Sequence, residues 1–210
     1  MIRDSEKDLR VALGHVERWS AVGRSRDWAS LKMREWNILA TSLEGRRDAL
    51  LVALRRLGMF WRAGYQNVLV GYVEDQHEFL EGVRAHLSRD MLLETSLTKI
   101  VPVDRIAQFD PVGLVETLIE MLAPRADQVA GRSFYVRLER RGLKGIVHTP
   151  TVEREVGAAL ISKAAEYGGT TRVSFQDPDL VVAVETTGKT VGVGLLTREL
   201  RTAFPFVRVS

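Results

Sequence analysis

Between Arg125 and Arg154 the chain carries seven cations, Arg125, Arg132, Arg137, Arg140, Arg141, Lys144 and Arg154, against three acids, Asp127, Glu139 and Glu153. Arginine predominates, and its planar fork meets phosphate oxygens in pairs where lysine offers only a point charge. The tightest group, "RRGLKG" (140–145), stands between a strand-like run and a segment opening on Thr149 and Pro150, a helix start. A helix N-terminus offers unpaired N–H groups and the positive end of the dipole, so loop and helix together describe an anion site. Most short charge runs are solvated turns. The convergence of a strand end, glycine-flanked cations and a helix start favours phosphate over that plainer reading.

Other residues could in principle do chemistry. His148 follows the basic loop, and a general base there needs an orienting carboxylate, for which Glu153 is nearest in sequence. A surface histidine beside bound phosphate is the preferred reading. Asp177 and Asp179 flank Pro178, and paired carboxylates can share a proton or hold a metal, but Asp-Pro-Asp before a strand is first a turn. "TTGKT" (186–190) ends like a phosphate-binding loop, yet position 183 is Ala where that motif needs glycine, and a strand follows instead of a helix. "VGVG" (191–194) fails the dinucleotide pattern for the same reason. Glu185 sits inside the apolar run "LVVAVET" on the face of Val181 and Ala183, where a carboxylate needs a partner; Arg137 is the candidate across the sheet. Histidines 15, 77, 86 and 148 show no paired ligand spacing. The absence of cysteine removes disulfides, thiolate metal sites and any sulfur relay through this chain's own thiol. No metal and no cofactor is expected.

These residues need elements to position them. "FYVRLE" (134–139) alternates Phe134, Val136 and Leu138 with Tyr135, Arg137 and Glu139, the period of a pleated strand. Before it, "FDPVGLVETLIEMLAPRA" (109–126) reads as a helix capped by Asp110 with Pro111 in its first turn. After it, 149–169 reads as a helix with Val152, Val156, Ala159, Leu160 and Ala164 on its apolar face and Gly168–Gly169 as its stop. "DLVVAVETTGKTVGVGLLTREL" (179–200) gives two strands around a turn. The second half is therefore α-β-α-β-β with one sheet. The first half reads differently: strand 36–42, helix 45–58, two strands around Gly64, a helix from 75 capped by Asp75, and strand 96–104. That order, β-α-β-β-α-β, is the ferredoxin-like pattern. Residues 3–34, with Leu9, Leu13, Val16, Trp19 and Val22 at spacings of three and four, read as an N-terminal helical segment. The fold class is α+β, with a helical segment at 1–35, a ferredoxin-like domain at 36–104 and an α/β domain at 105–210.

The whole chain is consistent with that division. Its 210 residues suffice for one large domain or two small ones. No apolar run reaches the roughly 18 residues of a membrane span, and the charged N-terminus lacks a signal peptide's apolar centre, so a cytoplasmic protein without a membrane partner is expected. Net charge is +3 with a pI of about 9.4, which permits a polyanionic partner without requiring one.

The strand "FYVRLERRG", the helix with "EREVG" and "DPDLVVAVE" with its returning hairpin, in this order and spacing, resemble the THUMP domain over about residues 105–205. The resemblance implies an RNA-binding module of tRNA-modifying proteins, in which a preceding ferredoxin-like domain and the THUMP domain grip the acceptor stem and 3′ end of tRNA. It carries Arg140, Arg141 and Lys144 over as the basic loop, with Arg132 and Arg137 in support. His148, Arg154 and Lys189 complete the expected RNA-contacting set. Family members with catalytic domains are longer, so the resemblance is to stand-alone THUMP proteins. Among these is the adaptor presenting tRNA to the enzyme that makes N4-acetylcytidine. A non-catalytic tRNA-binding adaptor serving a separate modifying enzyme is thus expected. The alternatives are a small enzyme acting on RNA through His148 with Glu153 or through Asp177 with Asp179, and a protein-interaction module built on the N-terminal helix with Trp19 and Trp28.

Overall fold

The computed structural model describes residues 35–210. The N-terminal helical segment, with Trp19 and Trp28, lies outside the described residues. Those that are described form one compact unit of mixed α/β structure with two sheets and six α-helices.

The first sheet is built from β1 (Ile38–Ser42), β2 (Met59–Arg62), β3 (Val68–Tyr72) and β4 (Leu97–Pro102), in the order β2-β3-β1-β4, all antiparallel. Helix α1 (Arg47–Leu54) connects β1 to β2 and buries Leu50, Leu51, Ala53 and Leu54. Helix α2 (Gln76–Leu87) follows β3 and buries Phe79, Leu80 and Val83. Asp75 caps α2 as its position suggests, accepting the Glu78 N–H at 2.9 Å. A four-residue helix, α3 (Met91–Glu94), precedes β4 and is capped by Asp90 in the same way.

The second sheet contains β5 (Arg105–Gln108), β6 (Ser133–Glu139), β7 (Arg172–Val173), β8 (Leu180–Thr187) and β9 (Thr190–Thr197), in the order β5-β9-β8-β6-β7. Strand β6 runs parallel to β7 and β8, and the remaining pairs are antiparallel. Between β5 and β6 lies α4 (Leu114–Leu122), and between β6 and β7 lies α5 (Thr149–Ala164). One sheet face carries Phe134, Val136, Leu138, Val182, Val184, Val191 and Val193, which pack with Leu118 of α4 and Val156 and Leu160 of α5. Each such side chain contributes about 1.5–3 kcal/mol on leaving water. The opposite face carries Val181, Ala183 and Leu196, and these belong to the core of the first sheet, with Leu39, Ile100 and the C-terminal residues Phe204 and Val207. Helix α6 (Arg198–Ala203) leads into that segment, which joins the first sheet through the parallel bridge Ile100–Val207.

Three local expectations are corrected. Asp110 does not cap a helix: its carboxylate accepts the Val112 N–H at 3.0 Å and its carbonyl accepts the Gly113 N–H, closing a turn before α4 begins at Leu114. The chain before that turn is strand β5, and the chain after β9 is helix α6, where a continuous strand to residue 200 was expected. Thr197 makes that switch, its hydroxyl accepting the Leu200 N–H as an N-cap.

Candidate functional site: a basic loop at the head of helix α5

The loop between β6 and α5 owes its shape to three left-handed residues, Gly142 (φ 76), Leu143 (φ 56) and Gly145 (φ 82). Leucine in this region costs roughly 1–2 kcal/mol. The strain is offset because Leu143 packs against the second core and its carbonyl accepts the N–H groups of Ile146 and Val147, both at 3.1 Å. Leu143 and buried Val147 therefore pin the loop at its base, while Lys144, Gly145 and Ile146 stand in solvent.

At the end of the loop His148 takes the extended N-cap conformation of α5 without bonding the helix backbone through its ring; Nδ1 lies 2.8 Å from the Thr151 hydroxyl. Arg140, His148 and residues 145–150 line a pocket of about 340 Å³ at this helix end. One guanidinium nitrogen of Arg140, Nη1, is buried and has no hydrogen-bond partner among the described residues. The half-buried Arg140 and the N-terminus of a 16-residue helix thus line one small concavity, and exposed Lys144 precedes its wall at Gly145. The arrangement suits an anion, since the helix dipole and the cationic charge both favour negative charge there.

Arg141 is placed differently. Its guanidinium turns inward onto Glu185, which is fully buried in β8, and its backbone N–H donates to the Thr186 hydroxyl at 2.9 Å. Glu185 also lies 3.8 Å from Lys99 Nζ of β4, and Lys99 reaches Glu139 at 3.3 Å. Glu185 therefore has partners, as its apolar setting requires, but they are Arg141 and Lys99 and not Arg137. The register explains this: Arg137 stands opposite Ala183, whereas Glu139 stands opposite Glu185, and the chain turns back over Glu185 only after β6 ends. Burial pushes the Glu185 carboxyl above the usual range, against the opposing pull of Arg141 and Lys99. For Glu139 burial also acts upward, but Lys99 and the Ser210 N–H outweigh it and hold that carboxyl low.

The hairpin turn carrying Lys189 meets this loop through Tyr65, which lies between β2 and β3. The Tyr65 hydroxyl accepts the Gly188 N–H at 3.1 Å and stands 3.3 Å from where a Gly142 Cβ would be. The fold therefore gathers Arg140, Arg141, Lys144, His148 and Lys189 around one end of the second sheet. Arg154 is exposed further along α5. Arg132 is exposed at the opposite end of β6, roughly 25 Å from Arg140 at strand rise. Arg137 lies mid-strand, its Nε buried without a hydrogen-bond partner among the described residues.

The acidic candidates are engaged in structure. Glu153 accepts the Leu138 N–H at 2.7 Å, ending β6, and its carboxylate has no bond to His148. Asp177 and Asp179 both pair with Arg198, at 3.2 and 3.1 Å. Asp179 also accepts the Ser133 hydroxyl and N–H, which hold its carboxyl low. Sequence reasoning missed Tyr65 and Lys99; both reach the site from the first sheet, and nothing local to residues 65 or 99 signals it.

No family model and no curated protein matches the sequence. Among solved structures the chain is similar to TrmN from Thermus thermophilus, with a TM-score of 0.56 and 22% identity over 77% of this chain and 45% of that one. It is also similar to a possible methylase from Clostridium difficile 630, with a TM-score of 0.54 and 13% identity over 76% and 40% of the two chains. A third, PH1313 from Pyrococcus horikoshii Ot3, gives a TM-score of 0.53 and 11% identity over 77% and 54%. The chain spans about half of each of these proteins, and at such identities the likeness is one of fold.

Proposed function

We propose that this chain is a non-catalytic RNA-binding protein that holds the acceptor end of tRNA and presents it to a separate modifying enzyme. The two sheets are read as a ferredoxin-like and a THUMP-type domain. The observation that carries the reading is the pocket at the head of α5, lined by Arg140, His148 and the helix N-terminus, with exposed Lys144 in the loop beside it. The THUMP resemblance names the ligand class, and the fold likeness to TrmN is in keeping with it. In this reading Arg140, Lys144, His148, Arg154 and Lys189 contact phosphates, Arg141 holds the loop in place, and Arg132 and Arg137 extend the track along β6. Cytidine acetylation is the modification to which the resemblance points.

Filter binding of unfractionated tRNA at several salt concentrations tests it. If about four phosphates of a single-stranded end are neutralised, the log–log salt slope is about −3, and Arg140→Ala with Lys144→Ala shortens it by about 1.4. Unchanged affinity and slope in the double variant would remove the loop from the site.

A further inference from the structure

Phe175 is the most exposed aromatic residue among those described, with 76% of its surface in solvent. Its ring lies against Tyr135 of β6, centroids 5.5 Å apart at 40°, and Tyr135 is itself half-buried against the first core. The segment carrying Phe175 is firmly held. The Ser174 N–H donates to the Phe134 carbonyl at 2.8 Å, and the Ser174 hydroxyl to the Gln176 carbonyl at 2.9 Å. Arg198 donates to the Asp177 carbonyl at 2.6 Å while pairing with the Asp177 and Asp179 carboxylates, and Arg201 donates to the Pro178 carbonyl. An apolar ring is thus presented to water on a backbone tied down on both sides. Cations flank it: Arg172 is exposed in the neighbouring strand, and Arg137, two residues beyond Tyr135 on the same face of β6, has its buried Nε unpartnered.

We infer that Phe175, backed by Tyr135, is a stacking platform for one unpaired nucleobase, with Arg137 and Arg172 beside it for the adjoining phosphates. A rigid exposed aromatic ring next to arginines is a combination by which proteins hold single-stranded nucleic acid without reading its sequence. Tyr135 and Arg140 are five residues apart in sequence, roughly 16 Å at strand rise, Tyr135 facing the first core and Arg140 lining the pocket at the head of α5. The inference rests on the RNA reading above and adds a second contact of a different kind, apolar where the loop is ionic.

The test is fluorescence anisotropy with a fluorescein-labelled single-stranded RNA of about eight nucleotides. It compares the unaltered protein with Phe175→Ala, Phe175→Trp and the Arg140→Ala, Lys144→Ala double variant. Phe175→Ala weakens binding about five- to hundredfold with an unchanged salt slope, because stacking releases no counterions. Phe175→Trp keeps or improves affinity, whereas the loop variant shortens the slope. Tight binding by the unaltered protein that Phe175→Ala leaves untouched overturns the platform and spares the RNA reading. No binding by the unaltered protein overturns both.

Discussion

Replacing Arg141 with alanine isolates the buried charge beneath the basic loop. Glu185 has no solvent exposure, and without Arg141 its only cation among the described residues is Lys99, 3.8 Å away and already shared with Glu139 at 3.3 Å. Removing one partner of a buried ion pair costs about 3–5 kcal/mol, chiefly because the remaining charge is left unpaired. Lys99 offsets part of that here, and the Arg141 backbone bond to Thr186 survives the substitution. The expected loss is therefore about 2–3 kcal/mol, just below that range. Urea denaturation followed by circular dichroism reads it as a midpoint shift of about 1 M or more, given slopes of about 1–3 kcal/mol per molar. Lys144→Ala, three residues further along the loop but exposed, is the control and should change stability by less than about 0.5 kcal/mol. Adding Glu185→Gln to Arg141→Ala should recover part of the loss, with a coupling of about 1–3 kcal/mol. If Arg141→Ala unfolds at the same urea concentration as Lys144→Ala, the inward placement of Arg141 and the reasoning built on it are refuted.

Glu185→Gln alone should show a pH signature. The folded Glu185 holds its proton above the ordinary glutamate value of 4.5, so between that value and its raised one the native state binds more protons than the unfolded chain. This contribution weakens the fold as pH rises through the window. Relative to the unaltered protein, Glu185→Gln should therefore gain stability as pH rises above 4.5 in paired denaturation curves; a relative loss on that rise would mean the carboxyl is held low. Gly194→Ala tests the seam between the sheets. A Cβ there would sit well inside contact distance of the Pro102 carbonyl oxygen, which is backbone and cannot swing aside. A loss of about 1–3 kcal/mol is expected from such overpacking, and a thermal melt unchanged from the parent would refute the close approach.

Much of the architecture is readable in the residues because long elements repeat their signal. The alternation of Phe134, Val136 and Leu138 places them on one face of β6, and Asp75 caps α2 where its position indicates. Short elements carry too few periods to be heard. Strand β5 has four residues and α6 has six, and Asp110–Pro111 imitates a helix start while serving a turn. The site divides in the same way. The loop cations and the helix after them are adjacent in sequence, so their meeting is legible. The partner of Glu185 depends on how the chain folds back after β6, which no strand periodicity encodes, and Tyr65 and Lys99 arrive from another sheet altogether. Phe175 looks like any loop aromatic until its exposure and its contact with Tyr135 are known.

The sharing of one core by both sheets bears on how this chain can be cut and recombined. Val181, Ala183 and Leu196 belong to the same cluster as Leu39 and Ile100, Lys99 is shared by Glu139 and Glu185, and Tyr65 props the Gly188 turn. A fragment beginning at residue 105 would bare an oily sheet face, take Lys99 away from Glu139 and Glu185, and release a hairpin. A graft that moves the basic loop to another protein must therefore carry β1 to β4 with it, and an evolutionary exchange breaking the chain at that point would have to repair all three losses at once.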